Sequence, residues 1–294
     1  MSYSNGVAND MDALRSALIS ACTAEGWTLS GDILSKGTTF IRLQIVSGWL
    51  TLLGGTGISA GALTGAALAV SRIGQVNGIA ITWPANYELF VFAAEVYLVV
   101  NYNVNFYQWL AWGKSTVQGL PGSGMWYGAS MFANTTSTLA MNPTGSLSSP
   151  GYNCPGLFWR QLSQATNSNT LESRVHTGLD GFGWADGSGN PGASAIDGAR
   201  TLLELLPNSW NSEAILLPIR AMQPRPSNKI SLVADLQHAR YTRIDNYTPG
   251  EVITLGADRW KVYPWYRKDA ANRNGGQGVT HTGTLGWAIR YEGP

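Results

Sequence analysis

The stretch most suggestive of chemistry is Gly57-Ile58-Ser59-Ala60-Gly61, which matches the G-x-S-x-G turn that presents a nucleophilic serine in hydrolases. Gly55-Thr56-Gly57 followed by Ala60 also matches a loose dinucleotide fingerprint. Each motif depends on its surroundings. A dinucleotide site wants an acid about 20 residues beyond the glycines to hold the ribose hydroxyls, and no Asp or Glu occurs between Asp32 and Glu88. A nucleophile elbow wants a helix after its serine, whereas Gly61 and Gly65 interrupt the run that follows Ser59. His176, His238 and His281 all lie downstream, and none is marked as a base by its neighbours. Ser59 is therefore not expected to act as a nucleophile.

Metal and phosphate chemistry find equally little support. There is no H-E-x-x-H and no pair of His or Cys at i, i+3 or i+4. In "LDGFGWADGSGN", Asp180, Asp186 and Asn190 lack the 1-3-5 spacing of a calcium loop, which leaves only a loose calcium site open there. Gly113-Lys114-Ser115 could end a P-loop, but Gln108 stands where its first glycine should be. Cys22 and Cys154 fit no metal-ligand spacing and are expected to be buried free thiols. The sequence thus assigns no catalytic residue, no metal ligand and no cofactor, and the chain is expected not to be an enzyme.

Charge is scarce rather than unbalanced. Only 13% of residues are charged, against roughly 25% in an ordinary soluble domain, and the net charge is +1. Leu43 to Ser71 and Ser115 to Trp159 contain no Asp, Glu, Lys or Arg. Two explanations stay open: these stretches face other subunits, since interface cores are poor in charge and rich in aromatics, or they are neutral surface loops. The charges present are unevenly placed, with +5 from Arg220 to the end and −4 before it. That division suits contacts between complementary faces of neighbouring copies. A basic aromatic region could stack on single-stranded nucleic acid, but Asp235, Asp245, Asp258 and Asp269 interrupt the basic residues and weigh against it.

The elements that must position any site are mostly strands. Asn9 to Glu25 reads as one amphipathic helix, with Asn9 as cap, Met11, Leu14, Leu18 and Cys22 on one face, and Gly26 at its end. Ile41, Leu43 and Ile45 then alternate with Arg42 and Gln44, and Ser47-Gly48 closes a hairpin. Glu88 to Trp112 reads as one or two strands with a helical end at Phe106 to Trp112. From Gly119 to Pro155 and Asn167 to Gly192, Gly, Ser, Asn and Thr dominate, which signals long loops or an insertion.

After Arg200, "RTLLELLPN", "EAILLPIRAM", "KISLVADLQ" and "ARYTRID" read as short strands. "EVITL", a turn at Gly256-Ala257-Asp258 and "RWKVYPWY" form a hairpin, and Leu285, Trp287, Ile289 and Tyr291 share one face. The expected fold is mainly β, a sandwich or barrel-like arrangement with long loops and an N-terminal α-helix. Its expected segments are 1–115, 116–198 and 199–294, which together can also form a single domain. The N-terminus lacks the basic start and apolar run of a secretory signal, so the mature chain is expected to begin near Met1. The neutral stretch from Leu43 carries six glycines and reads as strands rather than a membrane span.

Three segments carry a resemblance. "GADRWKVYPWYRKDAANRNGGQGVTHTGTLGWAIRYEGP", "NYELFVFAAEVYLVVNYNVNFYQWLAWGKS" and the N-terminal helix leading into "GWTLSGDILSKG" resemble structural proteins of tailed bacteriophage virions. The resemblance covers a third to half of the chain and rests on no catalytic motif. It implies a non-enzymatic building block, made in the host cytoplasm and incorporated into the virion. Its partners would be further copies of itself and neighbouring tail, baseplate or neck proteins. A tail protein that binds a receptor or carbohydrate for adsorption is the alternative. The C-terminal aromatic and basic segment is the expected subunit interface, with Trp265, Tyr266, Arg267, Lys268, Arg273 and His281 as its contact residues.

Overall fold

The computed structural model describes residues 1–67, 70–76, 79–133, 173–185, 216–244, 246–268 and 285–294. The chain begins with β1 (Ser2–Ala8) and α1 (Met11–Ala24), followed by β2 (Thr28–Ser30), β3 (Ile33–Lys36), β4 (Thr39–Val46) and β5 (Trp49–Gly55). Next come β6 (Gly57–Ser59), β7 (Ala62–Thr64), β8 (Val70–Ile73), β9 (Gln75–Val76) and β10 (Ile79–Ala80). The long strands β11 (Ala85–Val91), β12 (Glu95–Tyr102) and β13 (Phe106–Lys114) lead into β14 (Met125–Ala129), β15 (Met131–Ala133), β16 (Ser173–His176) and β17 (Trp184–Ala185). The last strands are β18 (Leu217–Arg225), β19 (Lys229–Arg243), β20 (Val252–Leu255), β21 (Asp258–Pro264) and β22 (Leu285–Arg290).

Most of these strands build three antiparallel sheets stacked as layers, and β6–β7 and β9–β10 form two-stranded ribbons. The central sheet has the order β1-β11-β12-β13-β14-β16-β17. On one side lies the sheet β15-β8-β5-β4-β3-β2, and on the other β18-β19-β22-β21-β20. Side-chain alternation along the central strands produces this layering. Val96, Leu98, Val100, Leu110 and Trp112 point into a core shared with Leu43, Leu50, Leu52 and the apolar face of α1. Tyr97, Val99, Trp109, Ala111 and Trp126 point the other way, into a core shared with Val233, Tyr241, Tyr263, Trp265 and Trp287. A strand buried on both faces has little room for charge, which accounts for the absence of Asp, Glu, Lys and Arg from Val96 to Gly113, between Glu95 and Lys114 at the ends of β12 and β13.

The same reasoning revises the expectation for Leu43 to Ser71. Six of the seven residues of β5 are buried, and so are all four of β8. Apart from Arg72, just beyond the neutral stretch, these strands carry no charge because they are buried inside this chain. Among the described residues there, the β4–β5 turn from Val46 to Gly48 and the β6–β7 ribbon with its flanks present a neutral surface.

The mainly β fold with one N-terminal helix is as the sequence predicts. The helix buries Met11, Leu14, Leu18 and Cys22, but its cap is Asp10, whose side chain accepts the Ala13 N–H at 2.7 Å, rather than Asn9. Ser47 and Gly48, at φ 51° and 81°, make the expected β4–β5 turn. Two readings are corrected. Phe106 to Trp112 is strand, because its aromatic residues divide between two facing cores, a period of two rather than 3.6. "KISLVADLQ" and "ARYTRID" are parts of a single strand, β19, interrupted by a bulge. "RTLLELLPN" and Cys154 lie outside the described residues. Among the described residues no helix is long and apolar enough to cross a membrane.

Candidate functional site

The bulge in β19 gathers several ionisable side chains, Glu95, Asp235, His238 and Arg240. Pro218 pairs with Arg240 and Arg220 with Asp235, so Leu236 to Ala239 stand opposite Ile219 alone. Such a bulge turns backbone N–H and C=O groups out of the ladder, and they need other partners. Glu95, at the start of β12, supplies the acceptors: Oε1 takes the Gln237 N–H at 2.9 Å and Oε2 takes the His238 N–H at 3.0 Å. Arg240 supplies the donors, with Nη1 2.8 Å from the carbonyls of both Leu236 and Ala239. Burial holds the Arg240 guanidinium below its ordinary pKa, an effect opposed by Asp235, Tyr97 and Glu95.

Glu95 Oε2 also lies 2.7 Å from His238 Nδ1 and accepts the Tyr97 hydroxyl at 2.8 Å. The carboxylate is almost fully buried, while the imidazole is partly exposed. Phe92 stacks on the ring at 3.8 Å and 13°. With Nδ1 donating to the carboxylate, Nε2 carries the lone pair, the tautomer that a general base requires. A carboxylate and an imidazole so arranged can transfer a proton, but acyl transfer also needs a nucleophile. Ser59, the sequence's candidate, is exposed on the separate β6–β7 ribbon, next to a turn made by Ala60 and Gly61 at φ 49° and 78°. The serine is followed by a strand, not by the helix of a nucleophile elbow.

A second histidine pairs with a serine near the other end of the central sheet. His176 Nδ1 accepts the Ser123 N–H at 2.9 Å and lies 3.1 Å from Ser123 Oγ. Nδ1 is the acceptor here, so the neutral ring carries its proton on Nε2. Burial holds the His176 pKa below its ordinary 6.5. As pH falls through 6.5 the unfolded chain therefore gains a proton that the folded chain resists, and stability present at higher pH is lost. His176→Asn, which keeps an acceptor, is expected to reduce that acid-side loss. Denaturant midpoints measured from about pH 8 to 5 check this; an unchanged slope would assign the loss to other groups.

Of the six residues expected at a subunit interface, three are taken up inside this chain. Trp265 is fully buried and stacks on Trp287 at 4.9 Å and 15°. Tyr266 is buried, and its carbonyl accepts the Tyr107 N–H at 2.6 Å. Lys268 is buried with Nζ 3.0 Å from the Ile244 carbonyl. These contacts correct the expectation for Trp265, Tyr266 and Lys268, whose side chains close the chain's own core and do not face outward. Arg267 is half-buried, its guanidinium 4.9 Å from the centre of the Phe106 ring. Arg273 and His281 lie outside the described residues.

Asp180 is engaged by Arg225 in a two-pronged ion pair, at 2.5 and 2.6 Å, while Asp186 and Asn190 lie outside the described residues. Among the described residues no group of three or more His, Cys, Asp and Glu could hold a metal ion. The sequence reading missed Glu95, His238 and Arg240. Its one available signal was the lone acid inside the apolar run "VFAAEVYLVV". The chain matches no protein-family model and no curated protein.

Proposed function

We propose that this chain is a non-enzymatic structural subunit of a tailed-bacteriophage virion, assembled in several copies in the tail, baseplate or neck. The observation that carries the non-enzymatic part is the role of the Glu95–His238 pair. Among the described residues it is an arrangement suited to proton transfer, and it is occupied in joining β12 to the β19 bulge. A second polar tie serves the same end: Lys261 Nζ donates to the Tyr3 hydroxyl at 2.9 Å and pairs with Glu88, linking β21 to β1 and β11. The virion part rests on the resemblance of three segments, which supply α1, the core of the central sheet and the last hairpin of the five-stranded sheet.

Carbohydrate binding during adsorption gains no support from the aromatic residues. Among the described residues, seven tryptophans are buried and three half-buried, so most of these rings are committed to this chain's own core. The test is to locate the chain in purified particles by labelling and image reconstruction. Density for several symmetric copies in the tail, baseplate or neck is the expected result. Absence of the chain from intact particles would end the proposal.

A further inference from the structure

We infer that Gln223 anchors an internal hydration site, a single buried water molecule that pins the β18–β19 hairpin in register. Ile219 and Ala221 on β18 lie in the core shared with the central sheet. Gln223 follows two residues further along on the same face, and it is fully buried. Neither its Nε2 nor its Oε1 has a hydrogen-bond partner among the described residues. A buried amide left in that state is costly, and nearly all such groups find a partner in protein or in ordered water.

The groups around Gln223 suit a water. Ser231 stands directly opposite it on β19, a placing that brings the two Cβ atoms to about 4.5–5.5 Å. The Ser231 hydroxyl oxygen accepts from Arg225 Nη1 at 3.2 Å, which leaves its proton to be donated. Beside this pair the register shifts a second time: Ala221 pairs with Ala234 but Met222 with Leu232, so Val233 has no residue opposite it. Val233 and Ala234 are consecutive yet both point into the same core, the mark of a bulge, and the extra residue of a bulge leaves the ladder. The Gln223 amide, the Ser231 hydroxyl and the backbone freed at the bulge together meet a buried water's need for two to four polar partners.

Charge and space both favour a small neutral occupant. Arg225, next along the same face, is taken up by Asp180 at 2.5 and 2.6 Å, so an ion beside Gln223 would be buried without a counter-charge. Val233 and Ala234 are fully buried on the facing strand, which leaves room only for the smallest molecule that both donates and accepts. Such a water fixes register. A slip of one residue would turn every side chain of the strand to its other face, and the Gln223–Ser231 pair that holds the water exists only in the native alignment.

A high-resolution crystal structure of the full chain is expected to show one ordered water within hydrogen-bond distance of both Gln223 and Ser231. In solution, magnetic relaxation dispersion of the water nuclei counts long-lived internal waters. Gln223→Met keeps the length of the side chain without its amide and is expected to lose one of them relative to wild type. Ser231→Ala removes the opposite partner, is expected to lose the same water, and decides the matter if the methionine variant does not fold. Direct hydrogen bonds between the Gln223 amide and protein atoms, with no water between them, overturn the inference. So does an ion in that place, or a count of internal waters that neither variant changes.

Discussion

Replacing Glu95 with alanine is expected to lower folding stability by about 3–5 kcal/mol, the usual consequence of removing one member of a buried hydrogen-bonded charge group. The substitution leaves the Gln237 and His238 N–H groups, the imidazole and the Tyr97 hydroxyl without their acceptor. Each buried donor so stranded costs about 1–3 kcal/mol, less where water can enter. Gln237 is exposed, so its share is the smallest. Glu95→Gln keeps the shape and one acceptor and should fall between alanine and wild type. Adding His238→Ala to the alanine variant should cost little more, since the two side chains act through one contact. Urea unfolding measures all of these. A loss below about 1 kcal/mol for Glu95→Ala would mean that the bulge is satisfied without the carboxylate.

The sequence made local structure readable where one period dominates and failed where burial is two-sided or contacts are distant. Met11, Leu14, Leu18 and Cys22 mark one face of a helix because only one face of α1 meets the protein. Trp287, Ile289 and Tyr291 share one core, and Ala288 between them points into a different one, which is the alternation of a strand. In β13 the pattern "FYQWLAWGK" has no polar face, since both faces are covered by other sheets, and period could not tell strand from helix. β1 went unread because "SYSNGVA" is a mostly polar edge strand, recognisable only through its register with β11.

The candidate site was hidden for a different reason. Glu95 and His238 are 143 residues apart, and what brings them together is a change of register between β18 and β19. No local pattern encodes such a bulge beyond the odd presence of an acid in an apolar strand. The aromatic C-terminal segment was conspicuous, but its sequence did not say what its aromatic residues pack against. Trp260, Trp265 and Trp287 are anchors of this chain's own layers, and a pile-up of aromatics looks alike in sequence whether it fills a core or an interface.

The same aromatic cluster sets the second large effect. Trp287→Ala is expected to cost about 3–5 kcal/mol, the range for emptying a buried aromatic site. Trp287 is fully buried on β22, which pairs with β19 on one side and β21 on the other. Its ring stacks on Trp265 and lies 5.5 Å from Trp109 and 5.9 Å from Tyr97, so it ties the five-stranded sheet to the central one. Aromatic pairs of this kind add about 0.5–1.5 kcal/mol beyond area burial. Trp287→Phe keeps much of the volume and should lose less. The form of the transition matters as much as its midpoint. Because the two sheets share this core, the alanine variant should unfold in one transition shifted to lower denaturant, with far-UV circular dichroism and tryptophan fluorescence coincident. Two separated transitions would mean that the five-stranded sheet is a unit stable on its own. A single transition with a loss below about 1 kcal/mol would mean that neighbouring side chains collapse into the space, and that Trp287 is not the link between the layers.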